Sequence, residues 1–139
     1  MILCTQIEKP LDSDICIYLI KKRPENVIKR IGESLADGIV ISSITLAELE
    51  FGVANSTYPE KNSNALIQML SSINTPPFDS KSAAAYGQLR GELQQGGLLI
   101  GALDMLIAAH AKSLNLTLVT NNVREFSRIN GLKTENWVI

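Results

Sequence analysis

Three acidic residues, Asp12, Glu48 and Asp104, each stand at the polar end of an otherwise apolar stretch: PLDSDICIYLI, VISSITLAELEFG and LIGALDMLIAAHA. A carboxylate beside a core is costly unless something neutralises it. Three separated segments with one carboxylate each therefore point to convergence on a shared cation. A fourth acid, Glu125, follows the apolar run LTLVTNN. Cys4 and Cys16 have no metal-binding spacing and no histidine cluster beside them. The ligands would then be oxygens, which select a hard divalent ion such as Mg²⁺ or Mn²⁺. The chemistry natural to such a site is phosphodiester hydrolysis.

Between these acids the chain alternates strand-like and helix-like segments. Gly38 to Ser42 (GIVIS) and Leu116 to Thr120 are short runs rich in β-branched residues and read as buried strands. Asn136 to Ile139 reads as a short last one. Helices are expected at Ile15 to Ile20, Glu25 to Ile31 (opened by Pro24), Thr45 to Val53, Lys61 to Ser71, Lys81 to Gln95 and Ala102 to Leu114. INTPPFDS carries two prolines and breaks the helical pattern. Asp79 or Ser80 would cap the helix that follows, and Gly96 and Gly97 would end it. Strands separated by helices predict one α/β domain over residues 1–139, with a parallel sheet covered on both faces. Sites in such sheets form at the carboxyl ends of strands. Asp12, the region after Ser42 and the region after Thr120 all fall there.

Each acid also has a local explanation. Asp12 or Ser13 would cap a helix starting at Asp14. Thr45-Leu46-Ala47-Glu48 reads as a capping box with Glu48 at its third position. Glu48 shares a face with Ile44 and Phe51, so it should point inward, whereas Glu50, about 200° round, belongs to the surface. Asp104 is the strongest case, because its helix is apolar almost all round; Gly101 can start the turn before it. His110 lies about 600° further on, off the Asp104 face, and reads as a packed histidine rather than a base. With no Ser or Cys motif beside the one histidine, triad hydrolysis is disfavoured. Thr120-Asn121-Asn122 with Glu125 reads either as a strand end and asparagine-rich turn, or with Asn122 or Glu125 as a weaker metal ligand. Lys21, Lys22 and Arg23 either complement a helix end or contact phosphates; Arg90 has the same two readings.

Composition narrows the partners. At 45% hydrophobic and only 5% aromatic, the core must be aliphatic. The formal charge of -1 excludes binding to nucleic acid by bulk positive charge, so such contact must be local, metal-assisted or shared with a partner. No run of about 18 apolar residues suggests a membrane span. The N-terminus lacks a signal-peptide layout and the cysteines imply no disulfide framework, which fits a cytoplasmic protein.

The stretches LDSDICIYLIKKRP, ISSITLAELEFGV, AAYGQLRGELQQGGLLIGALDMLIAAHA and LTLVTNNVREFSRINGLKTENW, in this order and spacing, resemble the PIN-domain ribonucleases, specifically the VapC toxins of bacterial toxin–antitoxin systems. The resemblance implies an α/β/α sandwich around a parallel sheet and Mg²⁺- or Mn²⁺-dependent endonucleolytic cleavage of RNA, with tRNA, initiator tRNA first, as substrate. Asp12, Glu48 and Asp104 match the family's three main acids, and Asp12 and Asp104 would hold the principal ion. Glu125 or Asn122 would fill the variable fourth position. Ser13 stands where the family usually has Thr, and Thr120 matches a hydroxyl near the metal. The resemblance further implies a homodimer neutralised by a VapB-type antitoxin. Two departures stand out: Lys9 and Pro10 suit a central first strand poorly, and Asp14 replaces the usual Asn. They motivate the alternative of a catalytically weakened domain that binds antitoxin or RNA. Asp12-Ser13-Asp14 also resembles the DxD of haloacid-dehalogenase-type phosphatases, although Cys16 stands where that family has Thr or Val.

Overall fold

A computed structural model of the chain describes residues 3–5, 39–71, 73–120 and 122–136. Asp12, Ser13, Asp14, Lys21, Lys22, Arg23 and the two helices expected before residue 32 lie outside the described residues.

Ile39, Val40 and Ile41 are β-branched and form strand β2 (Ile39–Ile41). Strand β1 (Leu3–Thr5) pairs with it antiparallel, with Leu3 opposite Ile41 and Thr5 opposite Ile39. The first strand is thus short and lies upstream of Lys9 and Pro10, where no proline interrupts its ladder. The expected parallel arrangement is found elsewhere: β3 (Leu118–Val119) pairs parallel with β4 (Thr134–Glu135), and Val40 bridges Asn74 in the same sense. Among the described residues the strands form two two-stranded sheets, β1–β2 antiparallel and β3–β4 parallel. The last described strand precedes the one expected at Asn136 to Ile139; Asn136 follows β4, and residues 137–139 lie outside the described set.

Helix α1 (Ser43–Ala54) starts earlier than expected. Its cap is Ser42, whose side chain accepts from the Ile44 amide at 3.1 Å. Thr45 is therefore inside the helix and fully buried, and the capping box is not formed. The double-proline segment decides this. It runs beside β2, the Ile41 amide donating to the Asn74 carbonyl at 2.9 Å and the Ser43 amide to Pro76 at 3.3 Å. The Phe78 amide then donates to Ser43 Oγ at 3.0 Å, so both serines are committed at the helix start.

Helix α2 (Pro59–Leu70) opens with Pro59 at its first position, where a missing N–H costs nothing. Helix α3 (Ser80–Gln95) is capped by Asp79, which accepts from the Ser82 amide at 3.0 Å. That bond holds the Asp79 carboxyl below its ordinary value. Gly97, at φ 68°, makes the left-handed turn after α3 that glycine alone adopts freely. Helix α4 (Ala102–Ser113) follows, capped by Gly101. The asparagine-rich turn after β3 contains one helical turn, α5 (Val123–Phe126).

The core lies where α3 and α4 pack against each other and the strands. It contains Val40, Leu89, Leu93, Met105, Ile107, Ala108, Ala109, Leu118 and Phe126. It is aliphatic apart from Phe126, as the composition requires. Each buried Leu or Ile contributes about 1.5–3 kcal/mol, and the adjacent alanines let the two helices approach closely. No helix among the described residues is long and apolar enough to cross a membrane.

Candidate active site

Glu48 lies in the second turn of α1, released from any capping role by Ser42. It is half-buried, and its Oε1 is fully enclosed. Its inward neighbours are Thr45 and Leu49. Phe51, expected on the same inward face, instead points out and is 71% exposed. The inner stripe of α1 is therefore narrower and more polar than the sequence pattern suggested.

Asp104 occupies the first turn of α4. Its carboxylate turns back over the helix start: a Cβ on Gly101 would lie 3.5 Å from Asp104 Oδ2. The unpaired amides and positive dipole end of a helix favour a carboxylate at this place. The helix is not buried all round. Leu103 is 50% exposed, and Leu98 and Leu99 just before it are also in water, while the face from Met105 to Ala111 is packed.

Helices α1 and α4, which carry Glu48 and Asp104, pack against each other. Among the described residues, no three of His, Cys, Asp and Glu stand close enough to hold a metal ion. Glu125 does not complete a cluster with Glu48 and Asp104, and Asp12, the third acid expected there, lies outside the described residues.

Thr120 ends β3 and is fully buried. Its amide donates to the Glu135 carbonyl at 2.9 Å, and its Oγ1 accepts from the Asn122 amide at 2.9 Å. Asn122 Nδ2 donates to Glu125 Oε2 at 3.1 Å. The two residues weighed as alternatives for one position are thus joined, with the amide orienting the carboxylate. Glu125 turns toward Asn122. Arg90 lies along its own helix, donating to the Tyr86 hydroxyl with its guanidinium 5.8 Å from that ring.

His110 is a packed histidine, as its spacing implied: it is 1% exposed, with Phe78 edge-on at 5.5 Å. Burial pushes its pKa below the ordinary value, against the charge of Asp79 and the Pro77 carbonyl. Its Nδ1 lies 2.6 Å from Ser42 Oγ. Ser42 was missed as a site-shaping residue. Its signal was present, a hydroxyl directly after a strand and before ITLAELE, but Thr45 competed for the same role. With the one histidine so committed, Glu48, Asp104, Thr120, Asn122 and Glu125 offer oxygen ligands. That donor set fits Mg²⁺ or Mn²⁺ and not a soft metal.

The family model described as PIN domain matches residues 10–132. The chain is 45% identical over 128 residues to "Ribonuclease VapC2" of Haemophilus influenzae, covering 92% of this chain and 96% of that protein. It is 43% identical to "tRNA(fMet)-specific endonuclease VapC" of Shigella flexneri, covering 91% and 96%. Among solved structures, VapBC2 from Rickettsia felis bound to a DNA fragment from their promoter matches with a TM-score of 0.89 at 45% identity. That match covers 94% of this chain and 98% of the other.

Proposed function

The chain belongs to the PIN-domain family, among its VapC ribonucleases, and from that premise we propose that it is the toxin of a bacterial toxin–antitoxin pair, a metal-dependent endoribonuclease that cleaves tRNA. The observation that carries the metal-dependent chemistry is that half-buried Glu48 and Asp104 stand on two helices that pack together, α1 and α4, in a donor set made of oxygens. The tRNA substrate, initiator tRNA first, rests on the name of the Shigella relative.

Asp104 and Glu48, with Asp12 from the sequence pattern, would hold the ion. When bound, a hard divalent cation supplies charge neutralisation at the phosphate and a water of lowered pKa. The protein's own groups do the rest. The positive dipole end of α4 attracts the Asp104 carboxylate and holds it at the helix start. Asn122 fixes one oxygen of Glu125, leaving the other to orient water. Thr120, anchored by Glu135, sets the turn that presents both. Lys21, Lys22 and Arg23 are the candidates for RNA phosphates.

The partner is a VapB-type antitoxin, a reading supported by the VapBC neighbour. Leu98, Leu99 and Leu103, exposed together around the start of α4, suit a homodimer contact. The test is cleavage of total bacterial RNA by purified protein with and without Mg²⁺, beside Asp12→Asn. Discrete metal-dependent fragments from the native chain alone are expected. No cleavage by the native chain, folded and free of antitoxin, would instead support a binding domain that does not cut.

A further inference from the structure

Glu48 and Asp104 stand on different helices, so their separation depends on how α1 and α4 are held together. A short buried contact joins those helices, Ser42 Oγ to His110 Nδ1 at 2.6 Å. Both side chains are almost completely enclosed, at 2% and 1% exposure. Ser42 Oγ also accepts from the Ile44 amide, which fixes the hydroxyl oxygen at the helix start. Which of the two groups donates in this contact depends on the tautomer of the ring.

The contact has a fixed relation to the acids. Ser42 is six residues before Glu48 and His110 six after Asp104, so each end sits about 9 Å along its helix from the carboxylate. His110 is itself braced. Its carbonyl accepts from Ser113 Oγ at 2.8 Å, and Ser113 Oγ meets Ser82 Oγ of α3 at 2.9 Å. Phe78, whose amide is tied to Ser43, closes the ring's other side. A movement at Ser42 or His110 is therefore passed to the helix that carries an acid.

We propose that Ser42 and His110 are positioning residues whose buried hydrogen bond sets the relation of Glu48 to Asp104, and with it the affinity of the site for a divalent cation. The inference rests on the functional reading above. His110 takes no part in proton transfer, being enclosed away from any substrate.

The test uses the full chain, freed of metal, as wild type, Ser42→Ala, His110→Phe, the double variant and Ser42→Thr. Mn²⁺ affinity is read by electron paramagnetic resonance, kcat and KM are measured on the RNA that the wild type cuts, and the His110 ring nitrogens are followed by ¹⁵N NMR. Ser42→Ala and His110→Phe should each weaken Mn²⁺ binding about tenfold, as losses of groups that orient ligands do. The fall should lie in kcat with KM unchanged. The double variant should be no worse than the poorer single one, since both remove one bond. Ser42→Thr, which keeps the hydroxyl, should restore affinity, and the Nδ1 hydrogen-bond signature should vanish in Ser42→Ala. Affinities equal to the wild type's in both folded single variants, or losses that simply add, overturn the inference. If His110→Phe does not fold, Ser42→Ala against Ser42→Thr decides. A wild type that neither binds Mn²⁺ nor cuts RNA removes the functional reading and the inference together. A wild type that does both, beside a Ser42→Ala that does both equally well, removes the inference alone.

Discussion

The helix pairs α1–α2 and α3–α4 treat their apolar residues in opposite ways. Between α3 and α4, Leu89, Leu93, Met105, Ile107 and three alanines are sealed into the core. Along α1 and α2, Leu49 and Leu66 are buried, but Phe51, Tyr58 and Ile67 stand 71%, 68% and 63% exposed. Each pair nevertheless supplies one carboxylate of the candidate site. The α3–α4 pair is a scaffold that fixes Asp104 through packing. The α1–α2 pair fixes Glu48 by its cap and a narrow inner stripe, and leaves Phe51, Tyr58 and Ile67 in water among exposed polar residues. Large apolar side chains left in water suit contact with another molecule where they lie together.

The largest expected effect would show that the two pairs serve one site despite this difference. Asp104→Asn on the packed side and Glu48→Gln on the exposed side should each lower RNA cleavage about a thousandfold or more, the several kcal/mol that a lost metal ligand removes from transition-state stabilisation. Native-rate cleavage by either would break the pairing of the helices into one centre. Next comes the scaffold itself. Ile107→Ala, at a position with no exposure, should cost about 2–5 kcal/mol in denaturant unfolding.

A smaller effect separates the pairs by pH. The molecule's one histidine belongs to α4, and burial depresses its pKa from 6.5. The unfolded chain then binds the proton more readily, so stability is fully present above about pH 6.5 and falls as the pH drops from there toward the folded pKa. Unfolding curves of His110→Phe should lose that slope; an unchanged slope would show that another group causes it. The smallest change is expected outside. Phe51→Ser and Ile67→Ser should alter the stability of the free chain by no more than about 0.5 kcal/mol. A large loss in either would mean that the outer side of α1–α2 is covered within the chain itself.

Local chemistry made much of this legible in the sequence. GIVIS could only be a buried strand, Asp79 capped the helix it preceded, and the glycine pair ended it. Asp104 drew attention because an acid in an apolar helix needs a reason to be there, and its place in the first turn of α4 is one such reason. The start of α1 was not legible, since Ser42, Ser43 and Thr45 are all competent caps. The choice is made by Asn74 and Pro76, distant in sequence, through bonds to Ile41 and Ser43. Phe51 was misplaced for a related reason: periodicity gives a helix an apolar side but not its width, which depends on what packs there. For the site, residue types and their order could be read, and so could the isolation of His110. The bond from Asn122 to Glu125 could not, because it depends on how the turn closes after β3.

The framing of Thr120 by Glu135 has a consequence for how the protein is made. The β3–β4 ladder that holds Thr120 joins a strand to one translated later, and α5 with Asn122 and Glu125 lies between them. A nascent chain therefore exposes this edge of the site before the strand that anchors it has emerged from the ribosome. Domains assemble as synthesis proceeds, and here the lag falls on groups of the candidate site. Beside the ribosome's own RNA, a nuclease that finishes its cutting edge late is given an interval in which a partner can reach it first.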